Sequence, residues 1–201
     1  MLSSARDTPL RTKTSRAWAE AALADPLALL DDHAHLERKA AANALALIAS
    51  PPSGSGTWVR TLAAIARDET EHLALVVRTL EARGGTPSRE HANPYARALH
   101  ALARRGPEAR LDRLLVCALI EARSCERFEA LAGLGAENPL RALHAGLASS
   151  ERGHHHAFLA LACDVAPAAE VDRRWRWFLA REAEVLAAQP AGPRMHSGEP
   201  G

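Results

Sequence analysis

The sequence contains two copies of one short motif, Glu69-x-x-His72 and Glu151-x-x-His154. Residues three apart lie on one face of an α-helix, so each copy turns a carboxylate and an imidazole to the same side. Another glutamate precedes each copy by about thirty residues, Glu37 for the first and Glu121 for the second. This pattern is typical of a carboxylate-bridged dimetal site in a four-helix bundle.

The composition favours helices over sheets. Hydrophobic residues make up 47% of the 201 residues and aromatic residues only 4%, while β-branched residues are scarce. This length is enough for one domain with a hydrophobic core. We expect a flexible tail over residues 1–14, the domain over 15–189 and a disordered Pro/Gly-rich tail over 190–201. The net charge of +1 gives the chain no general attraction for nucleic acid.

The cysteines and the apolar runs predict a cytoplasmic protein. Cys117, Cys125 and Cys163 are odd in number and lack C-x-x-C spacing, which favours a reducing compartment over a disulfide framework or a zinc site. No apolar run approaches the roughly 18 residues of a membrane span. The N-terminus lacks the apolar region of a secretory signal. We therefore expect no membrane partner.

Helical periodicity predicts four long helices arranged as two antiparallel hairpins. The Asp25-Pro26 pair predicts the start of the first helix. Breaks at residues 51–56 and 133–139 separate the helices of each hairpin. A long connection with a short helix near residues 94–104 joins the hairpins, and a last helix is expected over about 169–188. The predicted fold class is all-α, a ferritin-like four-helix bundle with flanking short helices.

Six candidate ligands fall on the apolar stripes of the four long helices. They are Glu37, Glu69, His72, Glu121, Glu151 and His154. Burying a bare carboxylate costs several kcal/mol, so four buried glutamates need cations, and two divalent metals would neutralise them. Carboxylates with one imidazole per metal suit iron or manganese better than zinc. The alternative is a helical bundle whose histidines and glutamates pair with one another across interfaces.

Distances from the turns distinguish Glu121 from Glu126 as the ligand on the third long helix. Facing residues of an antiparallel hairpin lie equally far from its turn. Glu37 and Glu69 are each 16 residues from position 53, and Glu121 and Glu151 are each 15 residues from position 136. Glu126 would miss that level by roughly 7.5 Å along the helix axis and lie about 140° around it. We therefore expect Glu121 to bind metal and Glu126 to support the site or to pair between helices.

Other histidines near the motifs receive lesser roles. His33 lies one turn before Glu37 and is expected to support it, whereas His35 is expected to be exposed. Of the three consecutive histidines that begin at His154, only the first is expected to face inward, and the other two are expected in solvent.

Four segments of the chain resemble the MiaE-type tRNA hydroxylases. They are residues 32–41, 69–72, 120–128 and 150–154, and the string Glu-Ala-Arg-Ser-Cys-Glu-Arg-Phe within the third is the most specific. The resemblance covers roughly residues 26–166. It implies a ferritin-like non-haem di-iron monooxygenase with two iron ions, O2 as co-substrate and an external electron donor. The implied reaction hydroxylates the isopentenyl group of 2-methylthio-isopentenyladenosine beside the anticodon of tRNA.

Under this resemblance the partners are the anticodon loop of tRNA and a redox partner, and we expect a monomer or dimer. Arg123 is expected to support the metal site together with His33 and Glu126. Candidate tRNA contacts are Arg104, Arg105, Arg127, Arg173 and Arg174. The last two belong to a run that interleaves arginine with tryptophan, a pattern suited to phosphate contact and base stacking. The alternative for this run is that Trp175 and Phe178 face the core.

Two other functions remain open at this point. The chain could be a di-iron oxidase or oxygenase that acts on a small molecule, or a non-enzymatic iron-binding bundle. Storage proteins assemble into large cages, so a native mass would distinguish the second of these.

Overall fold

The structure is a computed structural model that describes residues 10–52, 56–135 and 138–200. In those ranges every regular element is a helix, as predicted. The elements in chain order are α1 (Arg16–Leu23), α2 (Pro26–Ile48), α3 (Gly56–Glu81), α4 (Pro94–Ala101), a 3-10 turn (Gly106–Glu108), α5 (Ala109–Ala132), α6 (Arg141–Val165) and α7 (Ala168–Ala187). Among the described residues, no helix combines the length and apolarity that crossing a membrane requires.

The chain divides into two compact units. The described residues of the α2–α3 unit lie within 21–92 and 193–195, and those of the α5–α6 unit lie within 10–20, 93–192 and 196–200. Each unit is built on one pair of long helices, and each pair corresponds to one of the predicted hairpins.

The start of α2 is fixed by the cap that the sequence predicts. The Asp25 side chain accepts a hydrogen bond from the backbone N–H of Ala28 at 3.0 Å, and Pro26 occupies the first turn. Such a cap satisfies a backbone donor that the helix itself leaves unpaired, while proline has no donor to lose there.

The register of the α2–α3 hairpin agrees with a turn centred on position 53 of the sequence. The indole Nε1 of Trp58, near the start of α3, donates to the carbonyl of Leu47 at 3.0 Å. These residues lie five and six positions from residue 53, so they sit at nearly the same level. Trp58 is fully buried, and burying an aromatic side chain fixes the packing of a hairpin strongly.

The α5–α6 hairpin shows the same symmetry about position 136. The Cys125 thiol donates to the Ala148 carbonyl at 3.2 Å, and Nδ1 of His155 lies 2.8 Å from the Ala118 carbonyl. Cys125 and Ala148 are 11 and 12 residues from position 136, and Ala118 and His155 are 18 and 19 residues from it. The level-matching rule therefore holds along most of the hairpin.

A buried ion pair joins α5 to α7. The guanidinium of Arg123 donates to both carboxylate oxygens of Glu182, at 2.8 and 3.0 Å, and both side chains are fully buried. The hydroxyl of Tyr95 on α4 donates to the same carboxylate at 3.0 Å. Three helices of the α5–α6 unit thus meet at one carboxylate, and bidentate geometry with an extra donor is what a buried pair needs to offset its desolvation.

The chain end departs from the disordered tail expected over 190–201. Met195, His196 and Ser197 are buried. The Ser197 hydroxyl accepts a hydrogen bond from the Trp18 indole at 2.8 Å, and the Ser197 carbonyl accepts one from Arg127 at 3.0 Å. Specific hydrogen bonds of this kind order a segment whose proline and glycine content alone suggests disorder.

The N-terminal segment also has partners where it is described. The backbone N–H of Thr14 donates to Glu126 at 2.6 Å, and Arg123 donates to the Thr12 carbonyl at 3.0 Å. The expected flexible tail over 1–14 falls largely on residues 1–9, which lie outside the described residues.

Replacing Glu182 with alanine should destabilise the protein by about 3–5 kcal/mol, because the fully buried guanidinium of Arg123 loses its main counter-charge. The matched control is Glu184→Ala on the same helix. Glu184 is exposed and pairs with the part-exposed Arg181, so its loss should cost at most about 1 kcal/mol. Urea unfolding of both variants measures the difference, and equal losses would contradict the role assigned to the buried pair.

Candidate metal centre

Three predicted ligands meet within the α2–α3 unit. Glu37 of α2 and Glu69 and His72 of α3 each offer a ligand atom, and these atoms lie within 4.8 Å of one another. Nδ1 of His72 is 3.5 Å from Glu37 Oε2 and 3.7 Å from Glu69 Oε2. These separations exceed the about 2.7–2.9 Å of a charge-assisted hydrogen bond. They suit donors that each reach a shared cation at about 2.0–2.2 Å.

His33 supports this group from one turn away. Its Nε2 lies 2.5 Å from Glu37 Oε1, and the ring is almost completely buried. Burial alone would raise the pKa of Glu37, but the contacts with His33, His72 and Glu69 outweigh it and hold the pKa well below its usual range. Glu37 therefore occupies an interior position with its orientation fixed by His33.

The other three predicted ligands meet within the α5–α6 unit. Glu121 of α5 and Glu151 and His154 of α6 offer ligand atoms that lie within 4.8 Å of one another. Nδ1 of His154 is 3.8 Å from Glu151 Oε2. All three residues are buried, at 6%, 2% and 5% exposure. This group repeats the composition and the helix positions of the first.

The donor chemistry of both groups fits divalent iron. Each group has two carboxylates and one imidazole, so its formal charge is about −2 when the histidine is neutral, and one divalent cation would balance it. Without such a cation, each buried carboxylate would carry a desolvation penalty of several kcal/mol. Oxygen donors with a single imidazole favour iron or manganese over zinc.

Glu126 lies in different surroundings from Glu121. Its carboxylate accepts hydrogen bonds from the Thr14 backbone at 2.6 Å and from Arg123 at 2.9 Å, and the side chain is 23% exposed. Arg123 itself is held by Glu182, so both residues act in the packing of α5. Of these two glutamates, Glu121 is the one that lies with Glu151 and His154.

Two expectations about histidines were wrong. His35 is buried rather than exposed, because its ring stacks on His91 at 4.7 Å and its Nε2 bonds to the Ser88 hydroxyl at 3.0 Å. His155 is also buried, with its Nδ1 against the Ala118 carbonyl and its ring against Trp175. Burial lowers the pKa of His155. In both cases the partners lie outside the helix that carries the histidine, so helical periodicity gave no sign of them.

A partly buried polar chain that joins α2 to the connection after α3 was not foreseen. The Lys39 ammonium lies 2.7 Å from Nδ1 of His91, and Nε2 of His91 lies 2.7 Å from the Asp32 carboxylate. Asp32 also accepts a hydrogen bond from the backbone N–H of Met195 at 2.9 Å. His91 lies in the connection between α3 and α4, so no pattern within α2 pointed to it.

The five candidate tRNA contacts have different surroundings. Arg105 and Arg173 are exposed. Arg104 and Arg174 are partly buried, and both donate to the carboxylate of Asp112, which is itself fully buried. Arg127 is completely buried, with its guanidinium 3.8 Å from the centre of the Trp18 ring. Burial lowers the pKa of Arg127 to about 10, and an interior arginine of this kind serves packing.

A comparison with solved structures identifies the fold class. A solved structure described as "Protein 43 with aldehyde deformylating oxygenase activity from Synechococcus" is 34% identical, has a TM-score of 0.86, and covers 94% of this chain and 96% of its own. This likeness confirms the all-α, ferritin-like fold class.

The sequence comparisons are more specific. Residues 1–197 match the family described as tRNA-(MS[2]IO[6]A)-hydroxylase (MiaE), and the chain belongs to this family. A Pseudomonas putida protein named tRNA 2-(methylsulfanyl)-N(6)-isopentenyladenosine(37) hydroxylase is 38% identical over 96% of this chain and 94% of its own length. A Salmonella typhimurium protein of the same name is 33% identical over 74% of this chain and 56% of its own length. The resemblance inferred from the motifs is confirmed.

Substituting Glu121 with glutamine should lower the bound iron while keeping the helix content, because glutamine is nearly isosteric but carries no charge. Substituting Glu126 with glutamine should leave the iron content unchanged, since Glu126 contacts Thr14 and Arg123 rather than the buried ligand group. Metal analysis and circular dichroism of the two variants test this. Loss of iron from Glu126→Gln with retention in Glu121→Gln would reverse the assignment.

Proposed function

We propose that this chain is a di-iron monooxygenase that hydroxylates the isopentenyl group of 2-methylthio-isopentenyladenosine in tRNA. The observation that carries the proposal is the pair of Glu-Glu-His groups, one per hairpin and with all four glutamates buried, in a member of the MiaE family. The names of the relatives supply the substrate, and the donor sets supply the class of cofactor.

The proposed iron ligands are the six residues predicted from the motifs. Each hairpin contributes three of them. The two carboxylates of each group would balance the charge of one divalent iron ion, which gives two iron ions per chain. The ligands are Glu37, Glu69, His72, Glu121, Glu151 and His154. Two of the four glutamates are expected to bridge the metals, as in other carboxylate-bridged pairs.

The bound iron pair would supply the activation of O2, with one oxygen atom entering a C–H bond of the isopentenyl group and the other leaving as water after two electrons and two protons arrive from an external donor. Residues around the proposed ligands fix the positions of the ligand carboxylates. His33 orients Glu37 through its 2.5 Å contact. The buried ion pair of Arg123 with Glu182 holds α5, and therefore Glu121, in its register.

The proposed partners follow from the substrate. A modified adenosine beside the anticodon has to be turned out of its loop to reach a buried site, so tRNA recognition involves unpaired bases. A redox partner has to reduce the iron between turnovers. We propose a cytoplasmic location, because tRNA is the substrate of the named relatives, and a monomer or dimer rather than a cage.

The main alternative is an oxygenase that acts on a small molecule. The similar Synechococcus structure is named for aldehyde deformylating oxygenase activity, and an aldehyde is a small molecule. This observation supports the alternative. The 38% identity to a tRNA hydroxylase over nearly the whole of both chains favours the tRNA substrate.

Deleting the gene should remove the hydroxylated isopentenyl nucleoside from tRNA and let its unhydroxylated precursor accumulate. Nucleoside mass spectrometry of total tRNA measures both. The wild-type gene and an Arg141→Ala control, which alters only an exposed arginine on α6, should restore the product, whereas His72→Ala should not.

Two results would contradict the proposal. An unchanged nucleoside profile in the deletion strain, with the precursor present, would favour the small-molecule oxygenase. Restoration of the product by His72→Ala with full iron content would leave the tRNA activity standing but would remove His72 from the ligand set.

A further inference from the structure

Residues 173–178, where arginines alternate with tryptophans in the first half of α7, divide between an inward and an outward face of the helix. Trp175 and Phe178 are 2% and 0% exposed, whereas Trp177 is 37% exposed. Residues three and four apart share a helix face, so Arg173, Arg176 and Trp177 lie together on the outward side. Among the large hydrophobic side chains that the described residues expose, Trp177 is the one aromatic.

The Trp177 ring is held in place although it is exposed. The guanidinium of Arg174 lies 3.9 Å from the ring centre. Arg174 is itself fixed by two hydrogen bonds to Asp112, at 3.0 and 2.7 Å, and one to the Leu102 carbonyl at 3.1 Å. The edge-on contact with Phe178 at 5.1 Å supports the ring from the core side. An aromatic ring held in this way loses little conformational freedom when a partner stacks on it.

Positive charge is concentrated around this ring. Residues 104–113 and 170–177 contain seven arginines and four carboxylates, an excess of three, although the whole chain has a net charge of only +1. Arg104 and Arg173 both approach the same oxygen of Glu170, at 3.3 and 3.9 Å, so the two segments adjoin within the α5–α6 unit. Arg105, Arg173 and Arg176 are exposed there.

We propose that Arg173, Arg176 and Trp177, flanked by Arg105, form a binding surface for the tRNA substrate. An unpaired base stacks on Trp177, and the arginines contact the adjoining phosphates. An ordered aromatic among exposed cations is the combination by which proteins bind unpaired RNA, since every base has a face that stacks and every nucleotide carries a phosphate. This inference rests on the proposed tRNA hydroxylase function and names the residues that bind its substrate.

Two of the arginines predicted to contact tRNA have a different role here. Arg104 and Arg174 are engaged by Asp112, so they position the surface instead of contacting phosphate. Arg176, which the sequence analysis did not single out, takes part directly. Arg127 is buried and has no part in the surface.

The test compares the affinity of purified protein variants for tRNA isolated from the deletion strain, which carries the unhydroxylated nucleoside. Trp177→Ala should weaken binding by about 5- to 150-fold, the range measured for loss of one base-stacking contact. It should raise KM for tRNA and leave kcat at saturating tRNA unchanged. Trp177→Phe, which keeps a stacking face, should retain most of the affinity.

Loss of Arg173 and Arg176 should change the salt dependence of tRNA binding. The double variant Arg173→Ala with Arg176→Ala should reduce the slope of log affinity against log salt by about two, because each phosphate contact contributes about one. Trp177→Ala should leave that slope unchanged. Leu45→Ala, an exposed apolar residue on α2, and Arg141→Ala are the matched controls and should bind as the wild type does.

The outcomes separate this inference from the proposed function. If the wild-type protein fails to hydroxylate this tRNA, the proposed function is wrong and the inference falls with it. If the wild type is active but Trp177→Ala, with its helix content and iron retained, binds tRNA with unchanged affinity, the inference alone is overturned. A third result is that Trp177→Ala binds tRNA with unchanged affinity but hydroxylates it more slowly when a protein supplies the electrons. This result would also overturn the inference, and it would assign the surface to the electron donor.

Discussion

The cost of burying four glutamates governs this structure. Glu37, Glu69, Glu121 and Glu151 are each at most 6% exposed, in positions where a helix would otherwise carry apolar side chains. A charge in such a place needs a compensating cation, since its desolvation costs several kcal/mol. One imidazole in each group adds a ligand but no negative charge. Two divalent metals, as proposed for the two Glu-Glu-His groups, would balance these charges.

Contacts in both units fix the positions of these carboxylates along their helix pairs. In the α2–α3 unit, the hydrogen bond from Trp58 to Leu47 sets the hairpin register, and His33 fixes the Glu37 carboxylate. In the α5–α6 unit, the ion pair of Arg123 with Glu182 joins α5 to α7 two residues from Glu121. The His33 contact acts directly on a proposed ligand, whereas the other two act through the helix register, and a small displacement of a ligand has large effects on a metal site.

The sequence predicted what depends on spacing along a helix. The long helices, both hairpin registers and the grouping of the predicted ligands within each hairpin follow from the helical periodicity, the three-residue motifs and equal distances to two turns. What it missed depends on partners from other segments. His35 is buried because His91 and Ser88 cover it from the connection after α3. His155 is buried because a backbone carbonyl on α5 receives it. Ser197 is ordered by Trp18 and Arg127, which are far from it in sequence. Periodicity within one helix contains no information about such contacts.

The most direct test of the account is the iron content and magnetic state of the purified wild-type protein after anaerobic loading with ferrous iron. We expect about two iron ions per chain, one for each Glu-Glu-His group, and a Mössbauer spectrum of an exchange-coupled pair after oxidation. A single iron per chain, two magnetically isolated irons, or a chain that folds fully and binds none would contradict it.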